Sequence, residues 1–427
     1  MDILVWLRSL GLGKYEAAFR DNEIDETVLP DLTAEDLKEL GVTALGHRRK
    51  LLAAIAALHG KKPPATLLIE QGERRGEPLD DPALLFSTLY DLWVANYAAF
   101  NGDILCGLAK KFLVLAEKKG MADPLMIGHR LMGVSLVATG NIAEGRAHLD
   151  RAFALYNHTA HASLASRFGQ DVRVSILSYR SLALWLLGYP GAALADVKRA
   201  LMHAREIQQA PASMYALFFA SFAMIYCGYY QTAKSLLDEL SALADEKDAL
   251  QWKANGMMQR GWVLTRTGEA LAGSSMIASG LSASRSTGAT VTEPLCLSIL
   301  AASYADIGQF DEAWRCLNEA IRTIEPTKER WFEAEVNRIA GEITLQSPEN
   351  DMPKAVAYFE RALAVARQQQ AKSWELRAAM SLARLWRDQG KVQQARELLA
   401  PVYGWFTEGF NTRDLKEAKA LLEELAA

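Results

Sequence analysis

Cysteine is scarce in this chain of 427 residues: four are present, at positions 106, 227, 296 and 316, and none forms a CxxC pair. That spacing excludes a disulfide framework and a cysteine-based zinc site, and it predicts small buried apolar side chains in a reducing cytoplasm. Charge of one sign is not in excess either. Lysine and arginine number 47 against 51 aspartate and glutamate, so the net charge of -4 predicts no general attraction to nucleic acid or to a membrane surface. Catalytic signatures are missing as well: the chain has no GxxxxGKS/T phosphate loop, no GxSxG elbow, no HExxH and no GxGxxG. His158 and His161 of "HTAH" have no third ligand near them in sequence, so the expectation is no catalytic residue, no metal and no cofactor.

Long hydrophobic runs are few. The start "ILVWL" is preceded by Asp2 and interrupted at Arg8, which argues against an export signal. Residues 207–233 carry no charge, yet their apolar heart runs only from Met214 to Cys227. At 1.5 Å per residue that heart spans about 21 Å, short of a hydrocarbon core of about 30 Å, so it reads as a buried helix.

What the chain does have is a repeat. Seven stations pair a turn glycine with a small residue five positions on: Gly102/Gly107, Gly140/Gly145, Gly188/Ala193, Gly228/Ala233, Gly268/Gly273, Gly308/Ala313 and Gly390/Ala395. Asn350/Ala355 makes an eighth. Three successive intervals, from 188 to 308, are 40 residues each, a period that marks a helical solenoid. Seven residues before each turn stands another small residue: Ala95, Gly133, Ser181, Ser221, Gly261, Ala301 and Ala383. Small groups on both helices of a pair let their axes approach.

Counted from these turns, Trp185, Tyr215, Phe218, Phe222, Tyr226 and Trp262 fall on the groove side of the first helices. Arg266, Arg338, Arg377, Arg384 and Arg387 follow toward the C-terminus. An apolar stretch followed by a basic one suits a partner segment with hydrophobic and acidic parts.

The first 60 residues have a different pattern. Apolar positions recur three and four apart (Leu4, Leu7, Leu10, then Tyr15, Ala18, Phe19), and Thr33 caps a helix that Gly41 closes. A last helix starts near Gly46 and buries Leu51, Leu52, Ile55 and Leu58, giving five short helices around one core. Between Asp21 and Glu39 lie eight carboxylates, among them Asp25, Glu26, Asp31, Glu35 and Asp36, with Lys38 as the only base. The last helix opens instead with Arg48, Arg49 and Lys50.

Three segments carry a family resemblance: "WLRSLGLGKYEAAFRDNEID", "LTAEDLKELGV" and "GHRRKLLAAI" resemble a sterile alpha motif (SAM) domain, with Trp6, Gly11, Tyr15, Phe19, Leu37, Gly41, Gly46 and His47 in order and at family spacing. The resemblance implies a protein-interaction module, often assembling head to tail, with a minority of RNA binders. The acidic middle and the basic helix start are then the two complementary surfaces. The segment "LSILAASYADIGQFDEAWRCLNEAI" resembles a tetratricopeptide repeat. Further stretches, such as "PLMIGHRLMGVSLVATGNIAEGRAHLDRAFALY", resemble the C-terminal helical repeats of bacterial class III adenylate/guanylate cyclases with a predicted ATPase domain. The cyclase and ATPase domains themselves have no counterpart.

The sequence thus predicts an all-α protein: a SAM bundle at 1–60, a linker and start of the repeats at 61–81, and a solenoid of about eight helix pairs at 82–427. The functional expectation is a non-enzymatic adaptor in bacterial signalling. It binds itself through the SAM domain and an unidentified protein segment through the groove, with no nucleic acid and no membrane as partner. Alternatively, it is the regulatory part of a cyclase system, or an RNA-binding SAM protein.

Overall fold

The computed structural model describes residues 3, 6, 7, 12–25, 28, 29, 32–42, 47, 48, 51, 52, 55, 82–157 and 171–426. His158, His161, Glu26, Asp31, Arg49 and Lys50 lie outside them. The chain divides into a unit of residues 1–92 with 284–289 and a unit of residues 93–283 with 290–427.

In the first unit a short 3-10 turn, Gly13–Tyr15, leads into α1 (Glu16–Asp21), and α2 (Ala34–Glu39) follows. α2 starts because Thr33 and Asp36 cap it reciprocally: Asp36 N–H donates to Thr33 Oγ1 at 3.2 Å and Thr33 N–H to Asp36 Oδ2 at 2.7 Å. It ends at Gly41, whose φ of 82° a side chain would strain and from which Val42 N–H reaches back to the Leu37 carbonyl. Leu7, Phe19 and Leu51 are fully buried in one core, as the spacing of the apolar residues predicts, and Leu29 and Leu37 join them.

Among the described residues the repeat region holds sixteen helices, in eight successive pairs along the chain, and a closing helix. The first four pairs are α3 (Pro82–Ala98) with α4 (Gly102–Lys119), α5 (Ala122–Ala138) with α6 (Ile142–Leu155), α7 (Val172–Leu186) with α8 (Pro190–Ile207), and α9 (Ala210–Cys227) with α10 (Tyr230–Glu246). The other four are α11 (Leu250–Arg266) with α12 (Ala270–Ser286), α13 (Glu293–Asp306) with α14 (Phe310–Thr327), α15 (Glu333–Gln346) with α16 (Met352–Gln368), and α17 (Lys372–Asp388) with α18 (Val392–Gly404). α19 (Arg413–Glu424) follows them. Proline opens α8, α9, α13 and α16 within their first two positions, where its missing N–H costs nothing.

The small residues do what the spacing predicts. Gly133, Ser181, Ser221, Gly261, Ala301 and Ala383 on the first helices are all buried, as are Gly145, Ala193, Ala233, Gly273, Ala313, Ala355 and Ala395 on the second. A methyl group at Gly133 would stand 2.8 Å from the Gly145 carbonyl oxygen, so these backbones are in near-direct contact. The first station is a correction. Phe100, at φ 29°, takes the turn position, and Gly102 instead begins α4 behind the Asn101 cap. Gly107 and Ala95 are accordingly exposed, two residues out of register with the other stations.

Helix α9 is long and apolar enough to cross a membrane by length and composition, and 67% of its apolar window is buried within the protein.

Within the second unit the solenoid turns back on itself. The last carbonyls of a helix have no partner inside it. Here those of the early first helices are taken up by later parts of the chain. Ala98 O accepts from Thr290 N–H at 2.8 Å and Ala138 O from Arg330 N–H at 2.9 Å. Trp185 O accepts from the Ser373 hydroxyl, and Tyr226 O from Arg377 Nη2 at 3.3 Å.

Candidate protein-binding groove

Of the aromatic residues placed in the groove by sequence, Trp185, Phe222, Tyr226 and Trp262 are buried, whereas Tyr215 and Phe218 are half-buried. Trp185 stacks on Tyr226 with ring centres 4.1 Å apart, and Trp374 meets Trp185 edge-on at 4.8 Å. Trp262 packs on Tyr226 at 5.1 Å and Phe222 on Trp262 at 5.7 Å. This cluster is part of the core that joins early and late repeats. Phe218 and Tyr215 flank it against Trp252, each with ring centres 5.8 Å away.

The arginines are brought to the same place, but not as an open basic patch. Arg377 lies 5.2 Å from the ring centres of Trp185 and Trp374 and donates to Asp414 Oδ2 at 2.7 Å and Glu335 Oε1 at 3.3 Å. Arg338 holds Glu335 through two bonds of 2.8 and 2.9 Å. Arg384 pairs with Glu417 at 3.1 Å, and Arg387 with Glu424 at 2.6 Å. Arg266 Nε reaches the Tyr230 hydroxyl at 3.3 Å. Burial alone would raise the Glu335 carboxyl, yet Arg338 and Arg377 outweigh it and hold it at about 2. Burial likewise opposes the charge on Arg338 and Arg377, and their carboxylate partners keep both protonated.

These groups line a cavity of about 280 Å³. Its charged walls are Arg266, Arg338, Arg377, Arg384 and Arg413 against Asp306, Glu335, Glu342, Asp414 and Glu417, five of each sign. Trp262, Leu295 and Ile299 form its apolar side. The space therefore offers both signs of charge beside an apolar wall, which differs from the sequence expectation of a basic stretch. Asp414 and Glu424 were missed because they stand 37 positions after their arginines, about one repeat away, whereas Glu335 and Glu342 flank Arg338 on its own helix. Trp374, also missed, sits at the start of a first helix, where a repeat alignment would place it in the groove.

In the first unit, Asp36 serves as the cap of α2, and the Thr33 hydroxyl and N–H lower its carboxyl. Glu35 pairs with Lys38 at 2.9 Å, and Asp25 accepts from Val28 N–H at 3.1 Å. Arg48 Nη1 donates to the Val42 carbonyl at 2.7 Å, and His47 meets the Tyr15 hydroxyl at 2.8 Å. Arg48 and His47 thus fasten the last helix to the fold. Among the described residues no group of three or more histidine, cysteine, aspartate or glutamate side chains could hold a metal ion.

The SAM domain (sterile alpha motif) family model matches residues 1–59. Human SH3 and multiple ankyrin repeat domains protein 2 is 51% identical over 57 residues, which are 13% of this chain and 3% of that protein. Human protein bicaudal C homolog 1 is 54% identical over 50 residues, 12% of this chain and 5% of its own length. An uncharacterized Rhizobium meliloti protein is 24% identical over 359 residues, 83% of this chain and 34% of that one. The chain therefore spans about a third or less of each of these relatives. Among solved structures, a Rap protein complexed with competence and sporulation factor aligns with TM-score 0.48 and 12% identity, covering 81% of this chain and 97% of that one. A tetratricopeptide repeat protein from Parabacteroides merdae aligns with TM-score 0.38 and 14% identity, covering 69% and 98%. The family model places a SAM domain at residues 1–59, and the helix pairs that follow form an α-solenoid.

Proposed function

We propose that the chain is a non-catalytic adaptor in bacterial signalling, which associates through its SAM domain and holds a segment of a partner protein in the solenoid. The observation that carries this reading is the cavity of about 280 Å³ inside the repeats, with five arginines and five carboxylates facing an apolar wall at Trp262. An extended segment with charged and apolar side chains satisfies such a wall, and helical repeats present surfaces of this kind. Phe218 is the cleanest probe, because it is half-buried while its neighbours Phe222 and Trp262 belong to the core. Photo-crosslinking from position 218 and from Arg384 should give one shared adduct, and Phe218→Ala should weaken that partner by about 2 kcal/mol. Adducts that differ between the two positions, or an affinity unchanged by Phe218→Ala, would overturn the reading.

A second reading, the regulatory part of a nucleotide cyclase system, rests on the resemblance of stretches such as "PLMIGHRLMGVSLVATGNIAEGRAHLDRAFALY" to the helical repeats of such cyclases. It too predicts no turnover of ATP by this chain alone, and it predicts that the captured partner is a cyclase. The SAM domain as an RNA binder is the weakest reading, since eight carboxylates stand beside three basic residues.

A further inference from the structure

Six side chains among the buried polar groups of the second unit are carboxylates, and five of them have a basic neighbour. His203 stands 3.5 Å from Asp171, Arg180 pairs with Asp196 at 2.6 Å, and Arg361 lies 3.4 Å from Glu333. Arg338 pairs with Glu335 at 2.8 Å and Lys372 with Glu375 at 2.7 Å. Glu329 is the exception. It is the least exposed of the six, at 1%, and no lysine, arginine or histidine among the described residues lies within ion-pair distance of it. Its sequence neighbours turn away: Lys328 and Arg330 both reach Glu325. Among the described residues its oxygens accept from neutral donors, Thr292 N–H at 3.0 and 3.2 Å and Trp331 Nε1 at 3.4 Å.

A carboxylate has about four lone-pair positions, so these contacts leave acceptor capacity unused. It borders a cavity of about 40 Å³ whose other walls are rings and aliphatic groups, among them Tyr97, Tyr179, Phe218, Phe222 and Trp331. Glu329 is the one acidic side chain that lines it, and no basic side chain does. Phe218, Phe222 and Thr292 also line a second small cavity, which in turn shares Trp262, Leu295 and Ile299 with the large one. The aromatic pocket therefore adjoins the groove through shared wall residues.

We propose that this pocket receives the ammonium group of a lysine side chain carried by the partner segment, with Glu329 as its counter-charge and the rings as its walls. The inference rests on the groove reading above. Aromatic faces attract cations most strongly where water is excluded, and a buried carboxylate lacking a cation gains most from receiving one. Size selects the primary amine. At roughly 10–15 Å³ for each water-sized group, the space holds about three such groups. A terminal methylene with its ammonium fits, whereas a trimethylammonium head, with four carbons around nitrogen, does not.

Calorimetry on the full chain tests this with small probes that need no identified partner. n-Butylammonium should bind saturably, tetramethylammonium should not, and Glu329→Gln should weaken n-butylammonium about tenfold or more. The glutamine keeps the side chain's shape and an acceptor for Thr292, and unchanged helicity and melting temperature near pH 6 would show that the fold is intact. An acetylated Ala-Ala-Lys-Ala-Ala amide should bind at least as well as n-butylammonium, and its norleucine counterpart should not bind. Absent saturable heat from n-butylammonium, equal affinity in Glu329→Gln, or stronger binding of tetramethylammonium would each overturn the pocket. Glu329-dependent binding of n-butylammonium without binding of the lysine peptide would overturn the lysine source in favour of a free amine. Neither failure touches the crosslinks from positions 218 and 384, which test the groove separately.

Discussion

Arg377 donates from Nε to Asp414 Oδ2 at 2.7 Å while its guanidinium lies over Trp185, so one side chain on α17 binds the closing helix α19 and covers an early repeat. Its partners are buried or nearly so, and removing the guanidinium would leave the Glu335 and Asp414 charges without their shared neighbour. Arg377→Ala should therefore cost about 3–5 kcal/mol, the range for breaking one side of a buried pair. Replacing Asp414 as well, in Arg377→Met with Asp414→Leu, should cost less than the two single changes summed, because the stranded charge is gone. Urea unfolding of the full chain measures both. Additive costs would show that the pair does not couple.

Two buried carboxylates make opposite predictions with pH. Glu329 is raised by burial from 4.5 to about 8, with Tyr97, Glu293 and Cys296 as its titratable neighbours. The folded state holds its proton more tightly than the unfolded state, so its contribution is complete below pH 4.5 and is lost as pH rises through 8. Glu335 is held at about 2, so its contribution is present above 4.5 and is lost as pH falls toward 2. Glu329→Gln should flatten the loss of stability between pH 5 and 8, by at most about 1.4 kcal/mol per pH unit, and should be more stable than the parent at pH 9. Unfolding curves at pH 5, 7 and 9 check this, and an unchanged slope in Glu329→Gln would assign the pH dependence to other groups.

Glycines at equivalent sequence stations should respond in opposite directions. A Cβ on Gly133 would meet Leu149 Cγ at 2.7 Å and the Gly145 carbonyl oxygen at 2.8 Å, and one on Gly145 would meet Val137 N at 2.8 Å. Backbone on both sides leaves little to yield, so Gly133→Ala and Gly145→Ala should each cost about 1–3 kcal/mol. Gly107 has nothing within 4 Å of its Cβ position and sits inside α4. Gly107→Ala should stabilise by about 0.5–1 kcal/mol, the usual gain of alanine over glycine in a helix. Melting of the three variants decides it, and a stabilised Gly133→Ala would remove the packing argument.

These glycines also show what was legible from sequence. The small residues recur because each helix pair solves the same local packing problem, and local solutions repeat in the chain. The exposed Gly107 shows the limit: the first turn uses Phe100 at positive φ, which a search for glycine overlooks. The meeting of Trp185 with Trp374 was not legible, since it depends on how far the superhelix rises per repeat, a sum of small rotations that no single station encodes. For the same reason Arg377, Arg384 and Arg387 read as a basic surface, although Asp414, Glu417 and Glu424 stand against them from the closing helix α19. Glu329 gave no signal at all. It lies in a connection between pairs, among Lys328 and Arg330, where an ion pair would be expected.

The SAM domain carries the last prediction. If its acidic middle and the basic run at 48–50 serve as two different surfaces, a head-to-tail contact between copies can repeat. Asp36 caps α2 and Arg48 holds the Val42 carbonyl, so changing either perturbs the fold before it tests a contact. Asp25 and Glu35 are exposed, and Arg49 is the basic residue beside Arg48 in sequence. Exposed pairs are worth only about 0.2–1 kcal/mol each and are screened within about 10 Å at 0.1 M salt, so assembly of the full chain should weaken as salt rises. Arg49→Glu alone and Asp25→Lys with Glu35→Lys should each stop growth, and mixing the two variants should give dimers through the one intact pair of surfaces. Sedimentation at low and high salt measures this. A chain that stays monomeric at low salt and high concentration would leave these charges as solvated faces and the SAM domain as a docking module for a different protein.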